Sequence, residues 1–141
     1  MPSDTMKAIR LHELGGPEVL RYEDTPAPRP GEVLVRVHAA GINPPDWYVR
    51  DGLTSVPGET APSFALPMIP GTDVSGVVES IGAGVDGFAA GDEIFGLLRF
   101  PSLHGGGYAQ YVAAPAADLA HKPTRLDHVH AAATPMAGLT A

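Results

Sequence analysis

Apolar and polar residues alternate along this chain in short runs, and glycine or proline ends most of them. Met6–His12 (MKAIRLH) alternates and predicts a strand; a Gly15-Gly16-Pro17 turn follows, then a second short strand over Val19–Glu23. Thr25–Gly31 (TPAPRPG) carries three prolines and predicts an extended connection. Glu32–Ala40 (EVLVRVHAA) puts Val33, Val35 and Val37 on one face and Leu34, Arg36 and His38 on the other, the pattern of a half-buried strand. Gly41–Gly52 reads as a loop with one helical turn after Pro45, and Thr54–Pro70 as an irregular, mobile surface lobe. Val74–Ile81, Asp92–Leu97, Tyr108–Ala113 and Asp118–Lys122 predict four further strands, with His104–Gly107 as a loop. A helical pattern enters only near the end. There Asp127 is placed as N-cap of His128–Thr134, Pro135 breaks that segment, and Met136–Ala141 opens a second apolar one. No internal repeat is present, and the pattern predicts a mainly β barrel or sandwich with a helical tail.

Composition narrows this picture. Seventeen Gly and 15 Pro in 141 residues is about twice their average usage, which leaves little room for long helices. A length of 141 residues suits one domain able to bury its own core, and without cysteine there is neither a disulfide nor a thiolate metal site. The formal net charge of −7 disfavours nucleic acid and anionic membranes as partners. No apolar run is long enough to span a bilayer, and MPSDTMKAIR lacks the apolar core of a secretory signal. The expected address is cytoplasmic. MAGLTA opens like a buried helix and meets no stop signal, so the natural protein is expected to continue beyond it.

Gly82-Ala83-Gly84-Val85-Asp86-Gly87 matches the dinucleotide fingerprint letter for letter. The fingerprint works only where its third glycine opens a helix whose N-terminal amides hold a pyrophosphate. Gly87 is instead followed by Phe88-Ala89-Ala90-Gly91-Asp92 and another strand, so the segment is expected to be a hairpin turn. Among the six histidines, His128 and His130 stand two apart, which no helix brings onto one face as a metal pair, and they are expected to be surface imidazoles. His104 is read as a solvated loop residue.

Several segments taken in order resemble a known family. GGPEVL (15–20), PGEVLVRVHAAGINPPD (30–46), PGTDVSGVVESIGAGV (70–85), GDEIFG (91–96), GGYAQYV (106–112) and AAATPMAGLTA (131–141) are similar in order and spacing to the N-terminal catalytic domain of medium-chain dehydrogenase/reductase enzymes. The branch most resembled is that of the zinc-free quinone oxidoreductases, the zeta-crystallin group. The resemblance implies a GroES-like, partly open β-barrel with a few short helices over residues 1–127. Residues 128–141 would then start the helical connection to a Rossmann cofactor domain that lies outside the chain. Where zinc alcohol dehydrogenases carry a Cys and a Gly-His-Glu, this sequence has Asn43 and Gly71-Thr72-Asp73. Neither Asn nor Thr replaces a thiolate or imidazole ligand, so no metal is expected.

The implied reaction is hydride transfer from NADPH to a quinone or an α,β-unsaturated carbonyl. The cofactor would be gripped mainly by the absent domain and only weakly, if at all, by this chain. The resemblance sets Asn43 beside the nicotinamide ribose and amide, with Asp46 on the same loop and Thr140 as a further cofactor contact. Tyr48 is the best donor to a developing oxyanion, or else an aromatic packed beneath the lobe. Trp47, Phe64, Thr72, Asp73 and Phe95 would line the substrate cleft, and Arg50 is either an anion contact or a solvated side chain. Gln110 stands where the resemblance predicts Glu. A homodimer or homotetramer is implied for the full-length protein, and the choice between NADH and NADPH stays open. The competing reading is a stand-alone GroES-like module that binds without catalysis.

Overall fold

The computed structural model describes residues 4–28, 32–54, 58, 65–99 and 105–141. The N-terminal alternation forms β1 (Thr5–Leu11) and β2 (Leu20–Pro26), paired antiparallel from Thr5–Pro26 to Leu11–Leu20. A 3-10 turn at Pro17–Val19 joins them, its first position taken by a proline whose missing N–H costs the turn nothing. Five more strands form one antiparallel sheet: β3 (Val33–Gly41), β4 (Asp73–Ile81), β5 (Glu93–Leu97), β6 (Tyr111–Ala114) and β7 (Leu119–His121). Their spatial order is β6-β3-β4-β5-β7. The helices α1 (Pro44–Arg50), α2 (His128–Ala132) and α3 (Pro135–Thr140) are short. The protein is thus mainly β, in two sheets rather than one closed ring of strands.

Residues 108–110 stitch the sheets together. The Ile9 N–H donates to the Tyr108 carbonyl at 2.8 Å, the Gln110 N–H to that of Lys7 at 3.0 Å, and the Val37 N–H to that of Gln110 at 2.9 Å. The Gln110 side-chain oxygen accepts the Lys7 N–H at 2.8 Å, so this residue has a structural use. The core lies on one face of the large sheet, where Val33, Val35, Val74, Val78, Ile94, Leu98 and Val112 are buried and Phe88 and Val85 close over them. Each such aliphatic side chain contributes roughly 1.5–3 kcal/mol on leaving water.

Three expectations need correction. β3 is not half-buried at its start: Leu34, assigned to the polar face, is 3% exposed beside Val33 and Val35. That end runs between β4 and β6, and a register shift at Leu34/Val35 breaks the simple two-residue alternation. Pro135 does not merely end a helix, because α2 stops at Ala132 and Pro135 occupies the first turn of α3. Tyr108 does not sit in β6, which begins at Tyr111; it belongs to the cleft described below. The N-cap assignment holds, with the Asp127 side chain accepting the His130 N–H at 2.8 Å. The glycine-rich segment connects antiparallel β4 and β5, with Gly84 at φ +79, and no helix follows it. Residues 55–57, 59–64 and 100–104 lie outside the described residues, and with them Phe64 and His104.

Candidate active-site cleft

The cleft is built where β3 ends and α1 begins. Asn43 is extended (φ −130°, ψ 159°) and caps α1, whose opening Pro44-Pro45 is preset for a helical start. Asp46, one turn in, reaches back to accept the Asn43 backbone N–H at 2.7 Å, which is half of a capping box with a carboxylate at its third position. The Asn43 side-chain amide then donates to Asp73 Oδ2 at 2.9 Å. Asp73, fully buried at the start of β4, also accepts the Met136 backbone N–H in the first turn of α3, at 3.1 and 3.3 Å from its two oxygens. One carboxylate therefore joins the α1 entrance to the α3 entrance.

Tyr108 completes the network. Its hydroxyl donates to Asp46 Oδ2 at 3.0 Å, and its ring lies close beside Gly71. Gly71 has φ +98, and a Cβ there would stand 2.5 Å from Tyr108 Cδ1, so a side chain is excluded on both counts. Burial pushes the Asp46 carboxyl above the usual carboxylate range, against the pull of hydrogen bonds from Asn43, Tyr108 and Gly71. Burial also raises Asp73, and the nearby Asp46 charge adds to the rise. Tyr108 is pushed well above an ordinary phenol by burial and the two carboxylates, so it stays a donor. Among the described residues, Asp46 Oδ1 and Thr72 Oγ1 are buried without a hydrogen-bond partner.

The other predicted site residues are placed around this network. Trp47 is 39% exposed, and its ring lies tilted at 56° to that of the half-buried Tyr48 with centroids 4.1 Å apart. Arg50 is engaged at the other end of the helix, where its Nε donates to the Gly15 carbonyl at 3.3 Å and its own carbonyl accepts the Gly15 N–H at 2.8 Å. Phe95 lines an apolar hollow of about 540 Å³ between β5, β7 and α3, with Leu97, Leu119, Pro135 and Leu139. Thr140 is exposed at the last position of α3. Asn43, Asp46, Thr72 and Asp73 are thus brought together, while Phe95 and Thr140 lie along α3.

Sequence reasoning missed Tyr108 and also the surroundings of His128. His128 is not an ordinary surface imidazole: its side chain is 17% exposed, with Nδ1 2.8 Å from Ser75 Oγ and Nε2 3.3 Å from Glu93. The His38 ring lies tilted over it with centroids 4.4 Å apart, and Lys122 pairs with Glu93 at 3.1 Å. Desolvation and the neighbouring His38 lower the His128 pKa. His130, by contrast, is exposed and bonded to Asp127, as a surface imidazole should be. No periodicity marks these residues, since four separate elements bring them together. Among the described residues, no group of three or more His, Cys, Asp or Glu could hold a metal ion, and no helix is long and apolar enough to cross a membrane.

An antiparallel β body with a buried polar network where its third strand ends defines a class, and residues 29–124 match the alcohol dehydrogenase GroES-like domain. The chain belongs to that family. Human quinone oxidoreductase is 38% identical over 131 residues, which is 91% of this chain and 37% of that protein. A mycobacterial protein solved in complex with NADPH superposes with a TM-score of 0.77 at 36% identity, over 96% of this chain and 38% of its own. A solved NAD-dependent alcohol dehydrogenase superposes with a TM-score of 0.85 at 37% identity, over 96% of this chain and 45% of its own. The chain spans less than half the length of these relatives.

Proposed function

We propose that this chain supplies the catalytic-domain half of a metal-independent, NADPH-dependent reductase of quinones or enones. Residues 1–127 form the catalytic body and 128–141 begin the connection to a cofactor domain. The observation that carries the reading is the Asn43–Asp73 pair. Where a zinc enzyme needs thiolate and imidazole, the cleft has an amide locked to a carboxylate and a buried threonine hydroxyl. That donor set does not suit zinc, and it does suit an uncharged, hydrogen-bonding nicotinamide.

The residues present fit the cofactor at the rim rather than in an enclosed pocket. An amide nitrogen carries two hydrogens, and the bond to Asp73 uses one of those on Asn43, leaving the other for a cofactor oxygen. Asn43 and Thr140 would hold the cofactor from this side, with Asp46 behind Asn43. When bound, the nicotinamide supplies the hydride. The remaining work falls to this chain's own residues. Tyr48 offers a phenol to the oxygen that gains charge, while Trp47, Phe95 and the walls around Thr72 and Asp73 orient a flat substrate. The substrate is a small-molecule quinone or enone, the expected assembly of the full-length protein is a homodimer or homotetramer, and its address is the cytoplasm.

The test is turnover by the full-length protein that contains this chain, followed as loss of NADPH absorbance with a naphthoquinone as acceptor. Oxidation of NADPH is expected, at a rate unchanged by prior chelation. Absence of turnover, or loss on chelation with recovery on adding zinc, would overturn the reading.

A further inference from the structure

The Tyr108 hydroxyl has an unusual place in the cleft. It lies on neither β3, α1 nor β4, yet it is bonded to the carboxylate that closes the α1 entrance. Its backbone is fixed independently on both sides, by the Ile9 N–H on its carbonyl at 2.8 Å and by its own N–H on the Pro70 carbonyl at 3.1 Å. Gly106 admits this approach, since a Cβ there would fall 2.1 Å from the Pro70 carbonyl oxygen. The ring lies beside Gly71, whose lack of a side chain leaves room for it. A rigidly held donor thus meets Asp46 Oδ2, the same oxygen that receives the Asn43 N–H.

We propose that Tyr108 is a positioning residue for Asn43. Its hydroxyl holds the Asp46 carboxylate in the one orientation that accepts the Asn43 backbone N–H, and this sets where the Asn43 amide stands toward the cofactor. The inference deepens the proposed function and rests on Asn43 as a cofactor contact. Asp73 grips the Asn43 side chain from the far side, so Asn43 is clamped at backbone and amide by two carboxylates. Only the Asp46 side of the clamp depends on Tyr108. Loss of the phenol oxygen leaves Asp46 held only by the backbone of Asn43 and Gly71, and the Asn43 N–H loosens with it.

Two measurements test this. In the chain described here, Tyr108→Phe keeps the ring on Gly71 and removes only the hydroxyl, and amide exchange of the Asn43 N–H by NMR is expected to speed up at least tenfold. Unchanged exchange overturns the proposal whatever the enzyme does. In the full-length protein, Tyr108→Phe is expected to lower kcat/KM for NADPH about tenfold in wild-type background but less than twofold in an Asn43→Ala background, because a residue acting through Asn43 has nothing left to position. Independent, multiplying losses in the double variant would make Tyr108 merely structural. A wild-type protein without quinone turnover defeats the proposed function but leaves the exchange result to decide the positioning role. If Tyr108→Phe does not fold, Asp46→Ala takes its place and must accelerate the same exchange.

Discussion

At the scale of single residues, the cleft depends on two carboxyls that the fold keeps from water. Asp46 is 6% exposed and Asp73 fully buried, and burial raises both above their ordinary 3.8. A carboxyl raised in the folded state favours folding fully below pH 3.8, and that contribution is lost as pH climbs through the folded value. The unfolding free energy of the wild type, measured in urea at stepped pH, should therefore fall relative to Asp46→Asn as pH rises from about 4 toward neutrality. A constant difference across that range would mean that Asp46 ionises normally. Asn43 and Asp73 were recognisable in the sequence from the motifs that hold them, and Trp47 and Tyr48 followed from the same loop. Tyr108 was not, because its ring reaches the site only after the 105–108 segment docks on 69–72.

At the scale of elements, alternation and turn residues place every strand to within a few residues, since a strand half-covered by its neighbours leaves a two-residue period. The period fails in β3, where register shifts at Leu34/Val35 and Val37/Ala39 break the alternation. Glycines in strands are where pairing becomes testable. A Cβ on Gly76 of β4 would lie 2.2 Å from the Arg36 carbonyl oxygen on β3, and backbone oxygen cannot step aside without opening the sheet. Gly76→Ala is expected to cost about 3 kcal/mol or more, of the order of an overpacked core site. Gly84→Ala, in the fingerprint-like turn with nothing within 4 Å of its Cβ, should cost only the penalty of its positive φ, about 1–2 kcal/mol. Chemical denaturation of the two variants side by side checks the contrast, and equal losses would contradict the close β3–β4 approach.

At the scale of the whole molecule, large apolar side chains stay exposed beside α1 and on α2 and α3, and also on β2, where Tyr22 is 70% exposed. Ile42 is 85% exposed, Leu139 75%, Val129 69% and Trp47 39%. Asn43 and Thr140, the proposed cofactor contacts, stand at the α1 entrance and at the last position of α3, a rim rather than an enclosing pocket. A nucleotide held only by a rim loses the burial and phosphate contacts that give most cofactor sites their affinity. NADPH titrated into this chain and followed by its fluorescence should show weak binding or none. Micromolar affinity would show that the chain carries a cofactor grip of its own.

The sequence by itself determined the mainly β architecture and the turn nature of the false fingerprint. Each of these follows from local periodicity or local backbone demands. Only the tertiary structure decided that Asp73 ties Asn43 to α3, that Tyr108 stands behind Asp46, and that His128 sits between Ser75 and Glu93. Those pairings join residues 30 to 63 positions apart. Hydrogen-bond partners at such separations are set by how sheets and helices pack, which no short pattern encodes.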